Sequence, residues 1–190
     1  MKFLRLGQAT PLCPITFNRI SSGFATDIYK LFLAIAWYTG ERPDAILKID
    51  VTHAYQNVAA RQPRDKILYP AANRKDKKYR EIDTHRALKL TLAAYNPPES
   101  GFLFPSLYKS ENHLSRQAVD KAFRRAVKKA GLENQGFSLY SPRRGFITHL
   151  SRQGLDIKII QRLTGHASIS SLIRYIDVSD EQLRNAIENF

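Results

Sequence analysis

The chain holds a single cysteine in 190 residues. A lone Cys13 excludes an internal disulfide framework and offers no zinc-ligand spacing, so stability has to come from packing, as suits a reducing compartment. Long apolar runs are missing too. The longest, Leu31 to Tyr38, is too short to span a bilayer and includes Trp37 and Tyr38. The opening residues, Met1-Lys2-Phe3-Leu4-Arg5, carry neither the apolar stretch nor the small-residue cleavage site of a secretory signal. Acidic side chains are the third shortage. Asp and Glu number 17 against 30 Lys and Arg, for a formal charge of +13 and a pI near 10.0. Such a bias points to a polyanionic partner, nucleic acid or an acidic membrane surface. With 43% apolar and 25% charged residues, the composition is that of a globular protein with a real core, not a disordered chain. A cytoplasmic or nucleoid-associated protein with no membrane contact is expected.

No repeat or low-complexity tract interrupts the chain. Residues 1–20 hold Pro11 and Pro14 without a clear period and are expected to form an irregular lead-in or linker, followed by one domain over 21–190. From Thr26 to Tyr38 the pattern predicts a helix that is apolar on most sides and ends at Gly40. Pro43 suits the first turn of a short helix from Asp44 to Lys48, which leaves Arg42 at a tight junction. Lys66–Pro70 and Tyr79–Asp83 read as strands joined by a polar turn. Helices are expected from about His85 to Tyr95 and from Ser115, as N-cap, to Ala130 with Gly131 as the stop. Further helices follow at 142–153, 157–163, 169–176 and 180–189, the last opening on the capping-box sequence Ser179-Asp180-Glu181-Gln182. The expected fold is mostly α, an α+β domain with one small antiparallel sheet.

Three segments of the last third stand out: Tyr140-Ser141-Pro142-Arg143-Arg144-Gly145, Thr164-Gly165-His166 and Arg174-Tyr175-Ile176. A guanidinium, an imidazole and a phenol are the groups needed to attack a phosphodiester without metal. The guanidinium stays charged and offers paired donors to the non-bridging oxygens. Ser141-Pro142 reads as an N-cap and first-turn proline, so Arg143 is expected at a helix N-terminus, where backbone N–H groups also favour an anion. Arg42 is a plausible second clamp. Each residue also has a plainer reading: Tyr175 as a half-buried aromatic, His166 as a cation at a helix C-terminus, Lys75 in a solvated turn, Tyr140 as packing. The Ser115–Ala130 helix sets Ala118, Val119, Ala122, Phe123, Ala126 and Val127 on one side. Arg116, Lys121, Arg124, Arg125, Lys128 and Lys129 lie largely elsewhere, either simply solvated or placed for phosphate contact.

In this combination the chain resembles the tyrosine recombinase (phage integrase) family over about residues 24–178. Thr39-Gly40-Glu41-Arg42-Pro43 resembles the box of the first catalytic arginine. Lys75-Asp76-Lys77-Lys78-Tyr79-Arg80-Glu81-Ile82 is similar to the hairpin of the catalytic lysine, with Lys75 in the matching register and Lys77 the alternative. Arg143 to Leu150 resembles the second arginine box, and Leu163-Thr164-Gly165-His166 the leucine-glycine-histidine motif, with threonine in place of an apolar residue. Arg174-Tyr175 looks like the nucleophile segment. The resemblance implies a helical catalytic domain, mostly α, and a bacterial, phage or mobile-element source. It implies that Tyr175 attacks double-stranded DNA to give a 3′-phosphotyrosyl link. Arg42 and Arg143 then hold the phosphate, Lys75 protonates the leaving 5′ oxygen, and His166 bonds the phosphate or shares in proton transfer. Arg144 joins Arg116, Lys121, Arg124, Arg125 and Lys128 as candidate DNA contacts. No metal or cofactor is implied. A tetramer on DNA is, with the apolar stripe of segment 180–190 either docking on a neighbouring protomer, as is common in the family, or packing on its own domain. The family's N-terminal DNA-clamping domain is expected to be absent from this chain, which is then either a fragment starting just before the catalytic domain or a naturally short recombinase.

Two positions depart from the pattern. Tyr140 stands where a histidine is usual, and a phenol, with a pKa near ~10, is a poor base. Ala45 stands where an acidic residue usually braces the arginine pocket, and Asp44 is expected to point elsewhere. These departures support a competing reading as a catalytically impaired DNA-binding accessory or regulatory protein. A type IB topoisomerase-like strand relaxation shares the chemistry and differs in assembly.

Overall fold

The computed structural model describes residues 9–106 and 111–176, together with positions 184, 187 and 188. The chain divides into two compact units, Met1–Phe146 and Ile147–Phe190. Among the described residues, no helix is long and apolar enough to cross a membrane.

The first unit opens with α1 (Pro14–Gly23). This corrects the expectation of an irregular lead-in for residues 14–20. Pro14 occupies the first helical turn, where its missing N–H costs nothing, and the Cys13 N–H donates to Thr16 Oγ1 at 2.9 Å. The helix is held by packing: Ile20 is fully buried, and a Cβ at Gly23 would lie 2.6 Å from the carbonyl oxygen of Ala126. Next comes α2 (Asp27–Thr39), buried along Leu31–Ala36 and closed by Gly40 in the left-handed conformation, φ 60°. Arg42 lies at the expected junction between helices, as the N-cap residue of α3 (Pro43–Leu47), which is placed one residue earlier than the expected Asp44–Lys48. Asp50 caps the short α4 (Val51–Ala54) by accepting from the Thr52 N–H.

Two antiparallel hairpins follow, where one sheet was expected. β1 (Tyr55–Asn57) pairs irregularly with β2 (Gln62–Pro63), and these strands are too short and polar to show a period of two. β3 (Lys66–Tyr69) pairs with β4 (Arg80–Asp83) in the register Tyr69 opposite Arg80 and Ile67 opposite Ile82. That register turns all four side chains to the buried face. The core is completed by α5 (Arg86–Ala94), N-capped by His85, and by α6 (Arg116–Lys129), N-capped by Ser115. Val119, Phe123, Ala126 and Val127 form the inner face of α6, and Phe32 meets Phe104 edge-on.

α7 (Ser141–Arg152) starts one position earlier than expected. The Tyr140 carbonyl accepts from the Arg144 N–H at 3.0 Å, so Tyr140 takes the N-cap place. The Ser141 hydroxyl does not cap; it accepts from the Ser138 N–H. The second unit packs Ile147, Ile160 and Leu172 from α7, α8 (Ile157–Thr164) and α9 (Ile169–Ile173). α8 is capped by Asp156 and closed by Gly165 at φ 64°. α9 ends at Ile173, so Arg174 and Tyr175 lie in a turn with three-residue hydrogen bonds, not inside a helix reaching 176. Of the helix expected over 180–189, positions 184, 187 and 188 are described and are helical; the rest of it lies outside the described residues.

Candidate active site

In the first unit the site is built around Glu41. The β3–β4 register faces Arg80 inward beneath the C-terminal end of α2, where the chain leaves Gly40. Nη1 of Arg80 donates to Glu41 Oε2 at 2.6 Å, and Nη1 of Arg74 lies 3.0 Å from the same oxygen. On the other oxygen, Oε1, Glu41 accepts the Arg42 backbone N–H at 2.7 Å. The guanidiniums of Arg42 and Arg143 each come within 3.9 Å of that oxygen. Glu41 and Arg143 are each 1% exposed, whereas Arg42 keeps 28% of its side chain open to solvent. One buried carboxylate thus touches four arginines, including both predicted phosphate clamps.

The surrounding contacts fix the geometry. Arg143 Nη1 also donates to the Gly40 carbonyl, and Tyr69 Oη donates to Thr39 Oγ1 at 3.1 Å. Burial pulls the pKa of Arg80 down, and the Glu41 charge works against that shift. Burial and the Glu41 charge together push the Tyr69 phenol up, so it stays protonated as a donor. Removing a carboxylate from such a cluster leaves buried guanidiniums without their counter-charge.

Glu41 answers the departure at position 45. Ala45 is buried and has no charge to offer, and Asp44 pairs instead with Arg116 at 3.3 Å, as expected of a residue pointing elsewhere. Sequence reading missed Glu41, Arg74 and Arg80 as parts of the site. The available signal was an acidic residue wedged between the stop glycine of one helix and the opening of the next.

Lys75 is exposed at the turn between β3 and β4, flanked by two anchored neighbours. Arg74 pairs with Glu41 and donates twice to Asp76, at 3.1 and 2.8 Å. Burial alone would raise the Asp76 pKa, but hydrogen bonds from Arg74 and the Lys78 N–H bring it below its usual value. Lys77 adopts a left-handed φ of 53°. Tyr140 is half-buried, with the Arg116 guanidinium 5.2 Å above its ring.

On the basic face of α6, Arg116, Lys121, Arg124, Arg125 and Lys128 are all exposed. Arg124 donates to Asp120 at 2.7 Å, which neutralises part of its charge. Arg144 departs from the expectation. It is buried, so its guanidinium is not part of this exposed face. A cavity of about 720 Å³ between α1, α2 and α6 is lined by Phe24, Tyr29, Leu114, Lys121 and Arg125, but by none of the predicted catalytic residues.

In the second unit, Gly165 turns the chain so that His166 folds back against the end of α8. His166 is 8% exposed, and Gln161 Nε2 donates to its carbonyl at 3.0 Å. Its Nδ1 lies 2.6 Å from Thr164 Oγ1, and its ring is 5.3 Å from that of Tyr175 at a 54° tilt. Imidazole and phenol are therefore neighbours. Among the described residues, no group of three or more His, Cys, Asp or Glu side chains is placed to hold a metal ion.

Residues 24–182 match the model of the phage integrase family. The chain is 34% identical over 91 residues to the tyrosine recombinase XerD of Rhizobium meliloti (strain 1021), covering 48% of this chain and 29% of the relative. It is 26% identical over 160 residues to XerD of Brucella suis biovar 1 (strain 1330), covering 82% of this chain and 50% of the relative. The chain thus spans half or less of the length of these curated relatives. Among solved structures, the XerA recombinase superposes with a TM-score of 0.74 at 20% identity over 97% of this chain and 66% of that one. The catalytic domain of bacteriophage HP1 integrase gives 0.67 at 21% identity, with 95% of each chain covered. At these identities the structural likeness establishes the fold.

Proposed function

The chain belongs to the phage integrase family, and on that premise we propose that it cleaves and rejoins DNA as the catalytic domain of a site-specific tyrosine recombinase. The observation that carries this reading is the convergence of Arg42 and Arg143 on the buried Glu41. Two guanidiniums that share one buried carboxylate suit a phosphate whose charge grows in the transition state, because they are already positioned when it does.

In this account Arg42 and Arg143 bind the non-bridging oxygens of the scissile phosphate. The Tyr175 oxygen attacks phosphorus, and the 5′ oxygen departs with a proton from Lys75. The covalent link conserves the energy of the broken bond, so a second 5′-hydroxyl can reverse the step on another strand. Tyr140 contributes a hydrogen-bond donor in place of the usual histidine. The exposed charges of α6 hold the DNA backbone without reading bases. The XerH recombinase and the lambda integrase, both similar in fold, were solved bound to DNA. A double-stranded DNA substrate is the corresponding proposal here, together with action at the nucleoid and a tetrameric assembly using segment 180–190.

The test is incubation with a pool of random-sequence nicked duplexes, in which a broken strand cannot religate. Covalent protein–DNA species are then recovered and sequenced. Adducts enriched for one sequence support the recombinase. Retention of DNA without any adduct overturns it in favour of an accessory binder, and adducts with no sequence preference favour a relaxing activity.

A further inference from the structure

We infer that Thr164 fixes the tautomer of His166, so that the neutral ring carries its proton on Nδ1 and keeps an unprotonated Nε2. The tautomer follows from the structure alone; its part in the reaction rests on the recombinase reading above.

Thr164 is fully buried at the end of α8. Its Oγ1 lies 2.6 Å from the Ile160 carbonyl oxygen and 2.6 Å from His166 Nδ1. A hydroxyl has one proton to give. Two oxygens at that separation repel unless a proton lies between them, and a carbonyl supplies none. The hydroxyl proton therefore points at Ile160, and the 3.4 Å approach to the Gln161 carbonyl gives the oxygen a second acceptor there. What Thr164 turns towards His166 is a lone pair, so Nδ1 must be the donor. A neutral imidazole holds one N–H, which leaves Nε2 as an acceptor. The ring is kept in this orientation from its backbone. The His166 N–H donates to the Gln161 carbonyl at 3.3 Å, and the Gln161 side chain returns a bond to the His166 carbonyl. Flipping the ring would set a carbon against Thr164 Oγ1.

The motif left two roles open for His166, donor to the phosphate or participant in proton transfer. An unprotonated Nε2 selects the second. As the Tyr175 oxygen bonds to phosphorus, its proton passes to His166 Nε2, the bond to the 5′ oxygen breaks, and that oxygen takes a proton from Lys75. In the reverse attack the 5′-hydroxyl returns its proton to Lys75, and the departing Tyr175 recovers its own from His166. His166 thereby supplies the base that a phenol, the side chain at position 140, supplies poorly. The threonine before Gly165, where the family has an apolar residue, becomes a positioning residue.

The test is 15N NMR of the histidine ring nitrogens in the full chain, at a pH where the His166 ring is neutral. Wild type, Thr164→Ser and Thr164→Val are compared. In wild type and Thr164→Ser, His166 is expected to show a protonated Nδ1 and an unprotonated Nε2. Thr164→Val keeps the volume and loses the lone pair, so its population shifts towards protonated Nε2. A wild-type ring protonated on Nε2 overturns the inference, and so does an unchanged pattern in Thr164→Val. If the valine variant does not fold, the wild-type and serine spectra still decide. In the reaction arm, with a nicked duplex recovered from the pool, Thr164→Val is expected to slow adduct formation roughly tenfold while Thr164→Ser stays within about twofold. A switched tautomer with an unchanged rate overturns the catalytic role. Absence of any wild-type adduct strikes the recombinase reading instead, and the ring-nitrogen result stands by itself.

Discussion

Arg143 is tied to Gly40: Nη1 of the guanidinium donates to the glycine carbonyl over 2.6 Å. The carbonyl belongs to the C-terminal end of α2, where the helix dipole also favours a cation. Gly40 reaches this position only with φ 60°, and a Cβ there would meet the Phe146 ring at 2.4 Å. Gly40→Ala is therefore expected to cost about 2 kcal/mol or more, from backbone strain and overpacking together. It should also loosen Arg143. Urea unfolding measures the first effect, and weaker binding of a scissile-phosphate duplex the second. A substitution neutral in both would show that this bond does not position the guanidinium.

Glu41 supports a second prediction. Glu41→Gln keeps the volume and removes the charge that Arg74 and Arg80 lean on. Breaking a buried pair from one side costs roughly 3–5 kcal/mol. The denaturant midpoint should fall accordingly, and adduct formation should fall beyond what lost folding explains. Recovery in Glu41→Asp to an intermediate level would mark charge, not packing, as the cause.

Acid sensitivity follows from Asp76, whose pKa lies below its ordinary value in the fold. A group depressed in the folded state stabilises above its unfolded pKa, near ~3.9, and that contribution is lost as pH falls through the folded value. The melting temperature of wild type should drop more steeply than that of Asp76→Asn below about pH 4. Parallel curves would mean that the Arg74–Asp76 pair contributes nothing to the anchoring of the turn beside Lys75.

Salt dependence tests the α6 face. Lys121 and Arg125 are exposed, while Arg124 is committed to Asp120. Each released phosphate contact changes the slope of log K against log salt by roughly 0.9. Lys121→Ala with Arg125→Ala should lower that slope by nearly twice this amount across unrelated duplex sequences. Arg124→Ala should lower it by less. An unchanged slope in the double variant would mean that this face is only solvated.

Local signals account for most of what could be read before the fold was known. Gly40, Pro43, Ser115 and Gly131 act within one helical turn of themselves, and the helix ends they mark lie where expected. The same locality explains the errors. Pro14 looked like a break because a proline reads alike in a loop and in the first turn of a helix. The packing of Gly23 against Ala126 that decides between them joins distant segments. Arg42, Arg143, His166 and Tyr175 were visible as chemistry at fixed spacing. Glu41 was not, because an acidic residue beside a helix end is usually solvated. The pairing of Tyr69 with Arg80 across the hairpin brings one of the arginines that pair with Glu41. The tautomer of His166 likewise depends on where a single hydroxyl proton goes, which no pattern of residue types records.

Two phenols, Tyr140 and Tyr175, stand in the predicted chemistry, so the identity of the linked residue tests the account most directly. The covalent adduct on a nicked duplex is digested with protease and nuclease, and the nucleotide-bearing peptide is sequenced by mass spectrometry. A phosphotyrosyl link on Tyr175 is expected, absent in Tyr175→Phe while duplex binding persists. A link on Tyr140, or an adduct that survives Tyr175→Phe, contradicts it.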